Sequence, residues 1–134
     1  MSGITDLEQL LASMSPVLDP ETYVFATLPD QNVPLGLAPL MVFQEVEGTT
    51  LILTKAHALN FGIAHQFECR RITLNVHSAL EAVGFIARIA SALAAAGMGV
   101  NPVAGFFHDH IFVPAARAAD AMELLADITR NANK

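Results

Sequence analysis

Three groups of residues have the types and spacing to do chemistry. His108-Asp109-His110 sets two imidazoles two positions apart. In a strand such residues share a face and could chelate Zn²⁺ or Ni²⁺, with His77, His65 or His57 as a third ligand. The same triplet lies between two apolar runs and suits a turn better than a metal site, since Asp in a turn bonds to its own backbone. Cys69 is the single cysteine and is followed by Arg70 and Arg71. Neighbouring cations lower a thiol pKa, whereas a position on an interior strand face leaves the thiol inert. Ser78 and Glu81 have the S-x-x-E spacing of a helix capping box. No glycine-rich phosphate loop, paired-carboxylate motif or triad order is present, so no motif argues for an enzyme.

The elements that must position these residues belong to a chain of 134 residues, 53% hydrophobic and 15% charged. That length predicts one compact unit whose core needs neither metal nor disulfide, and the apolar content excludes intrinsic disorder. The 13 Asp and Glu outnumber the 7 Lys and Arg, which argues against a nucleic-acid or anionic-membrane partner. No charge occurs from Ile89 to Phe107, a length near that of a bilayer span. Gly97, Gly99, Asn101, Pro102 and Gly105 break that stretch, so it reads as helix, turn and strand. The N-terminus carries Asp6 and Glu8 and no basic run, unlike a signal peptide. One cysteine permits no intramolecular disulfide, and a cytoplasmic location is the expectation.

Thr5 and Glu8 predict a capped helix to Met14, with Leu7, Leu10, Leu11 and Met14 inward. Strands are expected over Tyr23–Leu28, Leu40–Val46 and Thr49–Thr54, the last two joined as a hairpin at Glu47-Gly48. A short helix over Lys55–Phe61 ends at Gly62. A strand from Phe67 to His77 then leads to a helix from Ser78 to Ala96, with Gly84 inside it. Val100–Phe107 and Ile111–Val113 flank a His108-Asp109 turn, and Pro114 opens a last helix. The 79–96 helix is apolar on most sides, which requires burial against its neighbours or a second copy of the chain, favouring a homodimer. The order gives an α+β fold, a mostly antiparallel sheet with helices packed on one face. The units divide at residues 1–66 and 67–134, with the 67–77 strand available to both.

The run from Val76 to Ala87, with Gly84-Phe85-Ile86-Ala87, and then Ala96-Gly97-Met98, resembles an ACT domain, a ferredoxin-like module. The usual Asp-x-Pro-Gly opening is absent, and His77-Ser78-Ala79-Leu80-Glu81 stands there instead. With Val103 to Pro114, Tyr23 to Thr27 and Phe43 to Leu51, the pattern is similar to small bacterial-type proteins with tandem ACT modules. The resemblance implies a non-catalytic regulatory protein that binds a small effector, an amino acid above all, and no cofactor.

It also implies that the ligand sits near the loop between first strand and helix, here His77 to Val83. A helix start there offers unpaired N–H groups to an effector carboxylate. Gly84 permits close approach, Glu81 could pair with an amino group, and Asn101 could donate or accept at the facing strand. Glu45 and Glu47 are weaker candidates from the first half, and Asp109 brackets the site opposite Glu81. The rival readings are a metal-binding module using His108, His110 and His77, and a structural assembly partner.

Overall fold

A computed structural model describes residues 3–134. Helices are α1 (Leu7–Ser13), α2 (Lys55–Asn60), α3 (Phe85–Ala95) and α4 (Ala118–Ala132). Strands are β1 (Val17–Leu28), β2 (Met41–Gln44), β3 (Thr49–Thr54), β4 (Gln66–Thr73), β5 (Asn101–Ala104) and β6 (Asp109–Pro114). The fold is α+β, as the pattern of elements requires, and no helix among the described residues is long and apolar enough to cross a membrane.

The chain forms two compact units. One is Pro20–Cys69; the other joins the N-terminal segment, through Asp19, to Arg70–Lys134. Helix α1 therefore belongs with the second half of the chain. Strand order in the Pro20–Cys69 unit is β2-β3-β1-β4, and in the other β1-β4-β6-β5. These are the same order with β1 and β4 exchanging the inner and outer places. The hairpins repeat in detail: Met41↔Ile52 in β2–β3 and Asn101↔Phe112 in β5–β6 are equivalent, 60 residues apart, and both pairings are antiparallel. The turns close alike, Glu45 N donating to Gly48 O and Gly105 N to His108 O, each at 2.9 Å.

Each unit buries one sheet face under helix. Val24, Ala26, Leu51 and Leu53 alternate along β1 and β3 and meet Ala58 of α2. In the other unit Ile72, Leu74, Ile111 and Val113 meet Leu10 of α1, Ile89 and Leu93 of α3, and Leu125 of α4. Phe85, Ile89 and Leu93 recur every fourth residue, so α3 buries one stripe, while Ala87, Ala94 and Ala95 are exposed. The breadth of its apolar surface comes from small alanines rather than from a second packed face. Leu80 and Val83, expected on this helix, precede it and are exposed.

The capping-box expectations fail at both sites. At α1 the cap is Asp6, whose carboxylate accepts from Gln9 N at 3.0 Å, in place of Thr5 with Glu8. At α3 the helix begins at Phe85, six residues after the Ala79 at which a helix capped by Ser78 would start, behind Gly84 at φ +91°. A long-range contact accounts for the second failure. Ile4 N donates to His77 O at 2.8 Å and Ile4 O accepts from Ala79 N at 2.9 Å, a one-residue parallel bridge to Ser78. That holds Ser78 in a bridge, and the next backbone bond, Ala82 N to Ala79 O at 3.0 Å, closes a single turn where a helix capped at Ser78 would need Ala82 N on Ser78 O. Strand β4 also stops earlier than expected, at Thr73, and Asn75 turns the chain at φ +54°, which Asn tolerates better than most residues.

Gly3 is what permits the bridge. It lies at φ +95°, and a Cβ there would fall 2.7 Å from Ala79 N and 2.8 Å from Ser78 C. Gly3→Ala should therefore cost more stability, read as a lower denaturant midpoint, than the about 0.4–1 kcal/mol that Gly→Ala gains at compatible sites. Amide exchange at Ala79 should accelerate in the same variant; an unchanged midpoint and exchange rate would show that the bridge contributes nothing.

Candidate functional site

The displaced helix start creates the site. Ser78 lies in the bridge to Ile4 and Leu80-Glu81 form a turn in place of a first helical turn, and Arg88 N makes the first intrahelical bond, to Gly84 O at 2.9 Å. The N–H groups of Phe85, Ile86 and Ala87 precede that bond and have no acceptor within the helix. They carry the positive end of the α3 dipole. A cavity of about 220 Å³ opens against Gly84, Phe85, Ile86 and Ala87, with Ser78, Asp109 and Ala104 on its other walls.

Asp109 begins β6 opposite Ala104 and is only 9% exposed. Its backbone carbonyl accepts from Leu74 N at 3.0 Å, and Ser78 Oγ donates to its Oδ2 at 2.9 Å. Ser78 thus orients a buried carboxylate instead of capping a helix. One hydroxyl cannot fill the acceptor capacity of two carboxylate oxygens, so Asp109 keeps lone pairs for a donor in the cavity. The site consequently opposes a fixed negative side chain to a row of backbone donors.

The structure brings Ser78, Gly84 and Asp109 together and leaves other expected site residues apart from this cavity. Glu81 and Val83 are exposed in the turn and do not line it. Asn101 is exposed at the opposite end of β5 from Ala104. His77 packs on aromatic rings, with centroids 5.3 Å from Phe107 and 6.5 Å from Phe106. Glu45 and Glu47 lie in the other unit, where the Glu45 carboxylate accepts from Thr50 Oγ. Ala104, Ile86 and Ala82 are lining residues that sequence spacing did not single out; their only signal was proximity to Gly84 and Asp109.

The alternative chemistries find no assembled site. Among the described residues no group of three or more His, Cys, Asp or Glu could hold a metal ion. His108 stays in the turn, while His110 in β6 lies with Nδ1 2.9 Å from Thr73 Oγ. Cys69 is fully buried, its Sγ donating to Tyr23 O at 3.3 Å, and burial pushes its pKa up to about 12. Arg70 and Arg71 are engaged by Asp19: Arg70 donates to its carbonyl at 2.8 and 2.9 Å, Arg71 to its carboxylate at 2.7 Å. The thiol is therefore the inert kind of interior cysteine.

His110 is held below the usual imidazole value of 6.5 by burial first, then by Arg71 and His108, with Asp109 opposing. Below pH 6.5 the unfolded chain binds a proton that the native imidazole resists, so stability falls with pH in that window and is retained above it. Denaturant titrations from pH 7.5 to about 5.5 should show a steeper loss for the native sequence than for His110→Gln. Parallel curves would remove His110 from that pH dependence.

Two models of the ACT domain match the chain, at residues 2–70 and 66–127. A Vibrio cholerae protein of unknown function, described as a possible transport protein, is 42% identical, with TM-score 0.81 over 96% of this chain and 99% of its own. An Agrobacterium tumefaciens protein is 16% identical, with TM-score 0.73 over 87% of this chain and 89% of its own. The regulatory subunit of aspartate kinase from Thermus thermophilus is 13% identical, with TM-score 0.64 over 87% of this chain and 99% of its own. At those last two identities the likeness is one of fold. No curated protein matches the chain.

Proposed function

Because the chain belongs to the ACT-domain family, we propose that it is a non-catalytic regulatory protein that binds a free amino acid in the cavity between Asp109 and the start of α3. The observation that carries this reading is the opposition of two polarities across about 220 Å³. An α-carboxylate accepts from the first N–H groups of α3, as anions do at helix N-termini. The α-ammonium donates to Asp109, forming a charge-assisted bond in a partly desolvated setting. Such a ligand bridges the loop preceding α3 and the β5–β6 hairpin, so it favours conformations in which the two are docked, which is regulation by population shift.

The two family matches, residues 2–70 and 66–127, support a first module in the first half of the chain and a second in the second half, although the N-terminal segment through Asp19 packs with Arg70–Lys134. A cytoplasmic setting suits Cys69 as a free thiol. A homodimer is part of the proposal. Leu80, Val83, Phe106 and Phe107 are all more than half exposed, and β2 and β5 are edge strands. Exposed edges and apolar clusters of this kind are covered in stable proteins. Sedimentation at micromolar concentration should give a dimer mass that Phe106→Ser/Phe107→Ser lowers; a monomer throughout removes this part.

The amino-acid reading is tested by thermal shift. A ligand at 100 times its Kd adds about 2.7 kcal/mol of stability. Asp109→Asn keeps the shape of the side chain and removes its charge, which should weaken binding at least about tenfold. A variant that retains the full ligand-induced shift would exclude Asp109 as the ammonium partner.

A further inference from the structure

We infer that the cavity selects an amino acid with an uncharged aliphatic side chain, and that each chain carries one such site instead of one per repeat. This rests on the amino-acid reading above and adds to it the ligand's side-chain class and the stoichiometry.

The side-chain class follows from the charge inventory of the walls. Asp109 is the one charged side chain lining the cavity, and the only other polar side chain is the Ser78 hydroxyl that already donates to it. Binding the two backbone groups of an amino acid uses Asp109 and the N–H groups of α3. What remains of the wall is apolar: Ala79, Leu80, Ala82, Ile86 and Ala104. A lysine or arginine side chain would compete with the ligand's own ammonium for Asp109. An aspartate or glutamate side chain would bring a second carboxylate with no cationic side chain to meet it, and burying an unpaired charge is costly. The volume, about 220 Å³, is below the roughly 300–1,000 Å³ of pockets for larger ligands. It admits a single residue and excludes a nucleotide.

The stoichiometry follows from the repeat. The 60-residue offset that aligns the hairpins sets Thr49 at the position of Asp109, each the first residue of its strand and each buried. Strands β3 and β6 share one burial pattern along their length. The chemistry at this shared position differs. Thr49 Oγ donates to the Asp30 carbonyl at 2.6 Å and lies 2.8 Å from the Gln44 amide. The loop after β1 thus closes on the hydroxyl with its own backbone. That loop, residues 29–40, contains no helix, so the counterpart of the α3 N-terminus is missing as well. At this position the Pro20–Cys69 repeat lacks both the carboxylate and the anion donors; its own cavity, about 590 Å³, is lined by Phe25, Thr50, His65 and the Glu45 carboxylate that Thr50 already engages, with no helix start on its walls.

Isothermal titration of the full chain with alanine, valine, leucine, lysine, glutamate and isovalerate, each paired with a thermal-shift measurement, tests both statements. The expected result is one site per chain for an aliphatic amino acid. Lysine and glutamate should bind at least about tenfold more weakly, the effect of leaving one charge unpaired; isovalerate, without the ammonium, should also weaken. Equal or tighter binding of lysine or glutamate overturns the side-chain class and leaves the amino-acid reading standing. Two sites per chain overturn the single-site statement alone. No heat and no shift with any amino acid remove the amino-acid reading and this inference with it. Ala104→Leu, at an exposed strand position facing the cavity, should abolish binding with an unchanged unfolding midpoint; undiminished binding locates the ligand elsewhere and overturns the inference.

Discussion

The two backbone hydrogen bonds between Ile4 and the His77–Ala79 segment fix the path of the chain ahead of α3, on which the proposed site depends. They hold Ser78 in a bridge, and Ala82 N then bonds to Ala79 O instead of the Ser78 O that a helix capped there would use. The helix then starts only where Gly84, at φ +91°, lets the backbone reorient. Glycine reaches that conformation at little steric cost, and few other residues do. Three things follow from the delay. Ser78 is released from capping, its hydroxyl orients Asp109, and the first N–H groups of α3 face a cavity instead of being consumed by a preceding turn.

The repeat shows how one scaffold carries two different outcomes. Both hairpins have the same register and turn closure, and their second strands have the same alternation of burial. These features are dictated by the need to bury one face of a sheet, and register is strongly specified wherever that face is apolar. The position at the start of the second strand is free of that demand because it sits at the edge of the core. There a threonine satisfied by its own loop and an aspartate turned toward a cavity are both compatible with the fold. The two repeats differ in chemistry at the place where packing leaves the choice open.

Burial also decides which reactive side chains stay silent. Cys69 lies beside two arginines in sequence, an arrangement that would activate a thiol at a surface. In the folded chain desolvation prevails, since the thiolate would lose its hydration while both guanidinium groups are held by Asp19. His108 and His110, two positions apart, are separated by the end of the turn, and the second is held beside Thr73. The same spacing would align them only if the strand had extended through both.

The sequence by itself determined the α+β class, the Thr49–Thr54 strand and its hairpin partner, the helix following Pro114 and the family resemblance. Each of these is written in local periodicity and turn chemistry, which act over a few residues. It also pointed to Ser78, Gly84 and Asp109, though with Ser78 as a cap and Gly84 inside a helix. Tertiary structure decided that α1 packs with Arg70–Lys134, that Glu81 and Val83 stay outside the cavity, and that Ala82, Ile86 and Ala104 line it. The reason is the range of the interaction. The capping signal at Ser78 and Glu81 is a local preference of about 1 kcal/mol. Ile4, more than seventy residues earlier in the chain, holds Ser78 in a bridge, and Asp109, thirty-one residues later, takes its hydroxyl, and no window of neighbouring residues contains these partners.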